Sequence, residues 1–131
     1  MRQGKIKLFG VLASLVLLFT LAIPTLAVWS STVTVTPPPY GAEVDSYVSV
    51  KKTTTERTWS ITGVEEYNTL DPYARLVVGN TTKSSWAPVR HSQTLTYSDN
   101  AAAQNTSVRT RAKSNNLEPS RNQIKYQFNP Y

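Results

Sequence analysis

The sequence contains no cysteine among its 131 residues. Disulfide bonds are therefore excluded, and so are cysteine nucleophiles and zinc sites built on thiolates. A lipid-modified cysteine of the bacterial lipoprotein kind is excluded as well. Any folded domain in this chain must be held together by burial of apolar surface and by backbone hydrogen bonds alone.

Histidine and glycine are also scarce, with one histidine, His91, and five glycines. A serine–histidine–carboxylate triad would require His91, and the sequence has no G-x-S-x-G segment. Zinc sites need several Cys or His ligands, and phosphate-binding loops need closely spaced glycines. The acidic cluster of Glu65, Glu66 and Asp71 lacks the calcium-loop pattern. The sequence therefore predicts a protein with no catalytic residues, no metal and no cofactor.

Only one long apolar run is present, the 16 residues Leu8–Ile23. Three basic residues precede it, and Pro24 follows it together with the small residues Thr25 and Ala27. This three-part pattern is typical of a secretory signal peptide, and it predicts cleavage after Ala27. The alternative is a retained anchor, but the run is shorter than the roughly 20 residues that span a bilayer. We expect membrane contact only before cleavage, and a secreted, extracellular protein after it.

The mature chain would cover residues 28–131, which are 104 residues and one domain by length. Removal of the three basic residues of the signal peptide lowers the net charge from +6 to +3. This small excess argues against nucleic acid as a partner. Secreted domains of animals usually depend on disulfides, so their absence favours a bacterial protein.

Alternation of apolar and polar residues dominates the mature chain. It is clear in AEVDSYVSVKK (42–52), TWSITGV (58–64), YARLVV (73–78), SVRTRAK (107–113) and QIKYQF (123–128). A period of two is typical of half-buried strands, and turn residues recur about every ten positions. The only helical turn that we expect is at residues 65–72. The sequence predicts an all-β fold, a small antiparallel β-sandwich of about seven strands; disorder is the alternative, because large aliphatic residues are few.

The strand SVRTRAK carries the most prominent charge pattern. Arg109, Arg111 and Lys113 occupy alternate positions opposite Val108, Thr110 and Ala112. Two interpretations stay open. The stripe could bind an anionic polymer such as teichoic acid or acidic polysaccharide, or it could simply keep the outer face of a sheet solvated. We include Lys125 with these three residues as candidate binding residues.

Aromatic residues provide the second candidate. Trp59 shares a strand face with Ile61, which predicts a core tryptophan. Trp86 lies in the loop segment SSWAP and is a candidate for stacking on a sugar ring or for an interface. Asn80 and Asn105 head N-x-[ST] triplets that would carry glycans only in a eukaryotic secretory pathway.

A signal peptide, the absence of cysteine and Thr- and Tyr-rich strands together give a form similar to that of small exported β-sandwich proteins of Gram-positive bacteria. These observations favour a secreted, non-enzymatic binding or interaction protein of the Gram-positive bacterial envelope or exterior. Its expected partner is an anionic cell-wall polymer or a surface protein. A bacteriocin-like antimicrobial protein is the first alternative, since positive charge promotes approach to an anionic envelope. A hydrolase whose two carboxylates come together only in the fold is the second.

Overall fold

The computed structural model describes residues 28–65 and 71–131. Within these residues the fold is all-β, with ten strands, antiparallel pairing and no helix. The described part of the chain thus offers no helical segment that could cross a membrane. The predicted signal peptide lies outside the described residues, and so does most of the helical turn expected at 65–72. The strands are β1 (Val33–Val35), β2 (Glu43–Asp45), β3 (Val50–Lys51), β4 (Trp59–Glu65), β5 (Tyr73–Val78), β6 (Thr81–Thr82), β7 (Ala87–Pro88), β8 (Thr94–Tyr97), β9 (Ser107–Lys113) and β10 (Ile124–Asn129).

The strands form two sheets. The first sheet has the order β1-β10-β4-β8. In the second, β9 pairs with β5; β2 and β3 follow the outer edge of β9, and β6 and β7 follow the outer edge of β5. The expected all-β, sandwich-like class is confirmed. The alternation predicts about seven strands, and the described residues form ten because three of them (β3, β6 and β7) are pairs of residues.

The segment 42–52 shows why the strands are more numerous. The alternation predicts one continuous strand here, but the pairing with β9 is interrupted. Asp45 lies opposite Arg111 and Val50 lies opposite Val108, so the segment 42–52 contains more residues than β9 over the same length of the pairing. The extra residues form an outward loop at Tyr47, which is 98% exposed. Such a bulge divides one predicted strand into β2 and β3.

The core lies between the two sheets. The inner face of β9 is Val108, Thr110 and Ala112, and all three residues are fully buried, as the alternation predicts. Ile124, Tyr126 and Phe128 of β10, together with Trp59 and Ile61 of β4, cover this face from the first sheet. Trp59 is a core residue, as expected.

Two sequence signals end the first strand. Pro37–Pro39 cannot continue a ladder, and Tyr40 and Gly41 form a turn in which both residues have positive φ angles, 60° and 74°. The chain thereby leaves β1, at the edge of the first sheet, and enters β2 at the edge of the second.

Candidate functional site

The outer face of the second sheet carries the predicted basic stripe. Arg109, Arg111 and Lys113 lie on the exposed side of β9, and Arg75 of β5 lies directly opposite Arg111. Glu43 and Asp45 of β2 flank the stripe on the other side. This face, which we call the charged face, therefore combines four basic side chains from two central strands with two carboxylates from an edge strand.

Arg111 is compensated within the protein. Its guanidinium donates Nε and Nη2 hydrogen bonds to the two carboxylate oxygens of Asp45, and its Nη1 lies 3.7 Å from Glu43 Oε2. The hydrogen bond from Arg111 holds the pKa of Asp45 below its ordinary value. Glu43 also contacts Arg75, with 3.5 Å between Oε1 and Nη2. Arg111 is therefore part of a structural ion-pair network.

Arg109 and Lys113, at the two ends of the stripe, have different neighbours. Arg109 Nη2 donates a hydrogen bond of 3.0 Å to the carbonyl oxygen of Gly79, in the turn after β5. The Lys113 ammonium lies 4.5 Å from the ring centroid of Trp86. Within residues 28–65 and 71–131, neither side chain forms an ion pair. The cations without an ion-pair contact thus stand at the two ends of the stripe, and Arg109 interacts with Asp45 only at longer range.

Trp86 brings the aromatic and the cationic candidates together. The Arg75 guanidinium carbon lies 4.3 Å from the Trp86 ring centroid, and Lys113 Nζ approaches the same ring. Arg75 Nε is buried without a hydrogen-bond acceptor among the described residues. Contact with the π face partly compensates for the missing acceptor, since a cation on an indole gains about 0.5–1 kcal/mol at an exposed site.

An open depression of about 280 Å³ lies beside this ring. Its lining residues carry two aromatic rings, one ammonium group, two hydroxyls and two side-chain amides; they are Tyr73, Trp86, Lys113, Ser114, Asn115 and Asn116. We call it the Trp86 pocket. Two lining residues, Tyr73 and Asn116, form no side-chain hydrogen bond with any other residue that the structure describes, and Asn116 Oδ1 packs against Gly41.

The loop that carries Trp86 is fixed from two sides. Asp99 accepts a 2.8 Å hydrogen bond from the backbone N–H of Ser85 and a 2.7 Å bond from the indole N–H of Trp59. The Ser84 hydroxyl accepts a 2.9 Å bond from the backbone N–H of Leu76. Burial alone would raise the pKa of Asp99, but the hydrogen bonds from Ser85 and Trp59 hold it below its ordinary value. Trp86 is thus preorganised by a carboxylate whose role the sequence does not reveal.

Lys125 does not belong to this site. It lies on β10 in the other sheet, and its ammonium is 3.5 Å from Glu65 Oε2 on β4. The structure therefore brings together four of the five candidate binding residues, namely Arg109, Arg111, Lys113 and Trp86, and separates Lys125 from them.

Sequence reasoning missed Tyr73, Arg75, Asn115 and Asn116. The alternation of β5 places Tyr73 and Arg75 on the outward side, which was the available signal. What it cannot give is the register of Tyr73 opposite Lys113 and of Arg75 opposite Arg111. The two asparagines follow β9 in a turn, where Asn115 Oδ1 accepts a 2.8 Å bond from the backbone N–H of Leu117. Such residues usually indicate only a turn.

His91 stands away from this site. It is exposed, it bridges to Gly63 of β4, and its Nδ1 lies 2.7 Å from the carbonyl oxygen of Val64. In the part of the chain that the structure describes, no three His, Asp or Glu side chains group as metal ligands would. Asn80 and Asn105 are both exposed, and each lies in a turn.

Comparisons of the chain with protein-family models, with curated proteins and with solved structures find no match.

Proposed function

We propose that this chain is a secreted, non-enzymatic binding module that attaches to an anionic polymer of a Gram-positive bacterial envelope through its charged face. The observation that carries the proposal is the Lys113 ammonium. It stands at the rim of an open depression, next to the Trp86 ring, and has no carboxylate partner among the described residues. A cation placed in this way is available to an external anion.

The charge distribution of the face supports an anionic partner. Arg111 forms ion pairs with Glu43 and Asp45, and Arg75 forms one with Glu43. Arg109 and Lys113 supply the remaining positive charge at the two ends of β9. Uncompensated cations spaced along a strand attract a polymer with repeating negative charges, and this attraction weakens as salt screens it.

Secretion is part of the proposal, and it depends on the signal peptide that the sequence predicts at residues 1–27. An extracellular location would place the charged face next to the anionic polymers of the cell wall. A domain without cysteine is compatible with this environment because its folding does not depend on disulfide formation.

The test is retention of the protein on isolated Gram-positive cell walls, measured as the salt concentration that elutes it. The full chain is expressed in a secreting bacterial host and purified from the medium. We expect Lys113→Ala to elute at clearly lower salt, and Arg109→Ala to weaken retention further when combined with it.

Lys125→Ala is the matched control, because it removes the same charge from the opposite sheet. It should elute with the unmodified protein. Equal weakening by Lys125→Ala and Lys113→Ala would mean that retention follows net charge alone and would contradict the assignment to the charged face. Failure of the unmodified protein to bind the walls at low salt would refute the proposed function.

A further inference from the structure

The Trp86 pocket differs in composition from the rest of the charged face. The face outside it presents the guanidinium groups of Arg109 and Arg111 and the carboxylates of Glu43 and Asp45. The pocket presents two aromatic rings, amide and hydroxyl groups and a single ammonium. The two parts of the surface are therefore suited to different chemical groups.

The aromatic walls indicate a ligand with both an apolar and a polar surface. The rings of Tyr73 and Trp86 are apolar over most of their area and carry one polar atom each. Sugar rings are matched to such a wall, because their C–H groups cover one side of the ring while their hydroxyls point outward. The volume of about 280 Å³ is just below the usual range for small-molecule sites, so it suits one sugar ring of a longer chain.

Polar groups in the pocket are available for sugar hydroxyls. The Tyr73 hydroxyl, the Asn116 amide and the Trp86 indole N–H form no hydrogen bond with the described residues. Asn115 is used internally, since its Oδ1 accepts from Leu117 and its Nδ2 lies 3.4 Å from Asp71 Oδ2. The pocket thus keeps at least three polar groups that a hydroxylated ligand can use in place of water.

Lys113 requires the ligand to be acidic. A neutral sugar in the pocket would displace water from the ammonium without supplying an anion, which costs free energy. A carboxylate would provide a charge-assisted hydrogen bond. A poly(glycerol phosphate) chain is less well matched, because it has no sugar ring in its backbone to pack on the aromatic rings of Tyr73 and Trp86.

Hydrogen bonds within the protein also hold the Trp86 loop in place in the absence of a ligand. The Asp99 carboxylate holds the Ser85 backbone, Ser84 holds Leu76, and the Ala101 N–H donates a 2.8 Å bond to the Lys83 carbonyl. A fixed aromatic wall lowers the entropy cost of binding.

From these observations we infer that the Trp86 pocket is a subsite for one uronic acid residue of an acidic polysaccharide. The ring of that sugar packs on Tyr73 and beside the indole of Trp86, over which the Lys113 ammonium lies; its carboxylate binds that ammonium, and its hydroxyls reach Asn116. This inference rests on the proposed function, because it names the class of anionic polymer that the charged face holds.

The decisive probe is a pair of ligands that share their sugar rings and differ in charge. Oligogalacturonate and its methyl ester share the same sugar rings, and the ester lacks the carboxylate charge. Both are titrated into the full chain, expressed and secreted as above, with calorimetry and Trp fluorescence as readouts. We expect the acid to bind about tenfold or more tighter than the ester, since a hydrogen bond to a charged group contributes that much.

Variants of Lys113 and Trp86 test whether these two residues cause the preference for the acid over the ester. Lys113→Ala should bind acid and ester with equal, weak affinity. Trp86→Ala should weaken binding of the acid about tenfold, as loss of a stacking aromatic does, and Trp86→Phe should restore part of it. Lys125→Ala should retain the full preference for the acid. Because Lys113 is on the surface, its variant reports on the inference even if Trp86→Ala fails to fold.

Three results would overturn the inference. They are equal binding of acid and ester by the unmodified protein, no binding of oligogalacturonate at millimolar concentration, and a preference for the acid that survives Lys113→Ala. A protein that instead binds poly(glycerol phosphate), with no effect of Trp86→Phe or Trp86→Ala, would keep the proposed function and refute the sugar subsite.

Discussion

At the scale of single residues, the three cations of the stripe have separate roles although the sequence presents them as equivalent. Arg111 has two carboxylate neighbours and Lys113 has an aromatic ring. Removal of Arg111 would leave Glu43 and Asp45 next to each other without their main counter-charge. Removal of Lys113 would leave no carboxylate unpaired among the described residues. The first residue stabilises the sheet, whereas the second is available for binding.

Buried hydroxyls form a second residue-scale network, which joins the two sheets. The Tyr126 hydroxyl of β10 lies 2.6 Å from Thr110 Oγ1 of β9, and Thr110 Oγ1 in turn donates a 3.0 Å hydrogen bond to Ser46 Oγ. Burial raises the pKa of Tyr126, and the contact with Thr110 opposes that rise. The phenol therefore stays protonated in the folded state well above the pH at which it ionises in the unfolded chain. Stability should accordingly fall as the pH rises above about 10.

Asp99 gives the first prediction at this scale. Asp99→Asn should lower the free energy of unfolding at pH 7 by about 1–3 kcal/mol, because an amide offers only one acceptor to the N–H groups of Ser85 and Trp59. Urea unfolding followed by fluorescence measures this loss. The pKa of Asp99 is lowered in the folded state, so its contribution is complete above its ordinary pKa of about 3.8 and is lost as pH falls below that value.

The pH dependence provides the control for that prediction. Asp99→Asn should remove part of the stability loss that the unmodified protein shows as the pH falls below about 3.8. Identical pH profiles for the unmodified protein and the Asp99 variant would show that Asp99 does not anchor the Trp86 loop.

At the scale of elements, β4 is constrained by the neighbouring loop around Arg90. The pairing of β4 with β10 shifts register beside Gly63, between the pairs Tyr126–Gly63 and Lys125–Glu65. This is the bulge that a glycine inside a strand suggests. Gly63 also approaches the chain around Arg90, and its carbonyl accepts a 2.8 Å hydrogen bond from the Ser92 N–H. Position 63 therefore requires glycine, because the backbone at Arg90 leaves no room for a side chain.

Gly63→Ala is the prediction at this scale. The added Cβ would lie 2.2 Å from the backbone oxygen of Arg90, which cannot move aside cheaply. We expect a loss of about 3 kcal/mol or more in the free energy of unfolding, at the upper end of overpacking costs. The melting temperature and urea midpoint from circular dichroism measure it.

Gly79→Ala provides the comparison. Its Cβ would meet nothing within 4 Å, but its φ angle of +59° is unfavourable for alanine. It should therefore cost only about 1 kcal/mol. Equal losses in the free energy of unfolding for Gly63→Ala and Gly79→Ala would contradict the close approach between β4 and the loop at Arg90.

At the scale of the whole molecule, the first sheet joins distant parts of the sequence. Its central strand β10 pairs with β1 on one side and with β4 on the other. The first strand, β1, thus depends on the last strand, β10, for its backbone hydrogen bonds. Pairings of this kind give a high contact order, which is typical of β-proteins that fold in milliseconds to seconds.

Deletion of residues 124–131 tests this dependence. The deletion removes three fully buried side chains, Ile124, Tyr126 and Phe128, and leaves β1 without a partner strand. Each buried side chain contributes about 1.5–3 kcal/mol by burial alone, and a domain of this size has only about 5–15 kcal/mol in total. We expect the shortened chain to show no cooperative thermal transition by circular dichroism.

Substitution of Val28 and Trp29 by serine, at residues that are 49% and 40% exposed, should leave the transition nearly unchanged. A cooperative transition in the shortened chain would mean that β10 is dispensable, contrary to its central position in the sheet.

The sequence alone determined which side chains of β9 and β10 are inward, because covalent geometry turns successive side chains to opposite faces of a strand whatever its neighbours are. Val108, Thr110 and Ala112 are inward, Trp59 is in the core, and the all-β class follows from the same alternation. The tertiary structure alone decided which outward charges are compensated. Arg111 and Asp45 are 66 positions apart, and Trp86 reaches Lys113 from another loop. Those contacts depend on the register between strands, which a local pattern does not encode.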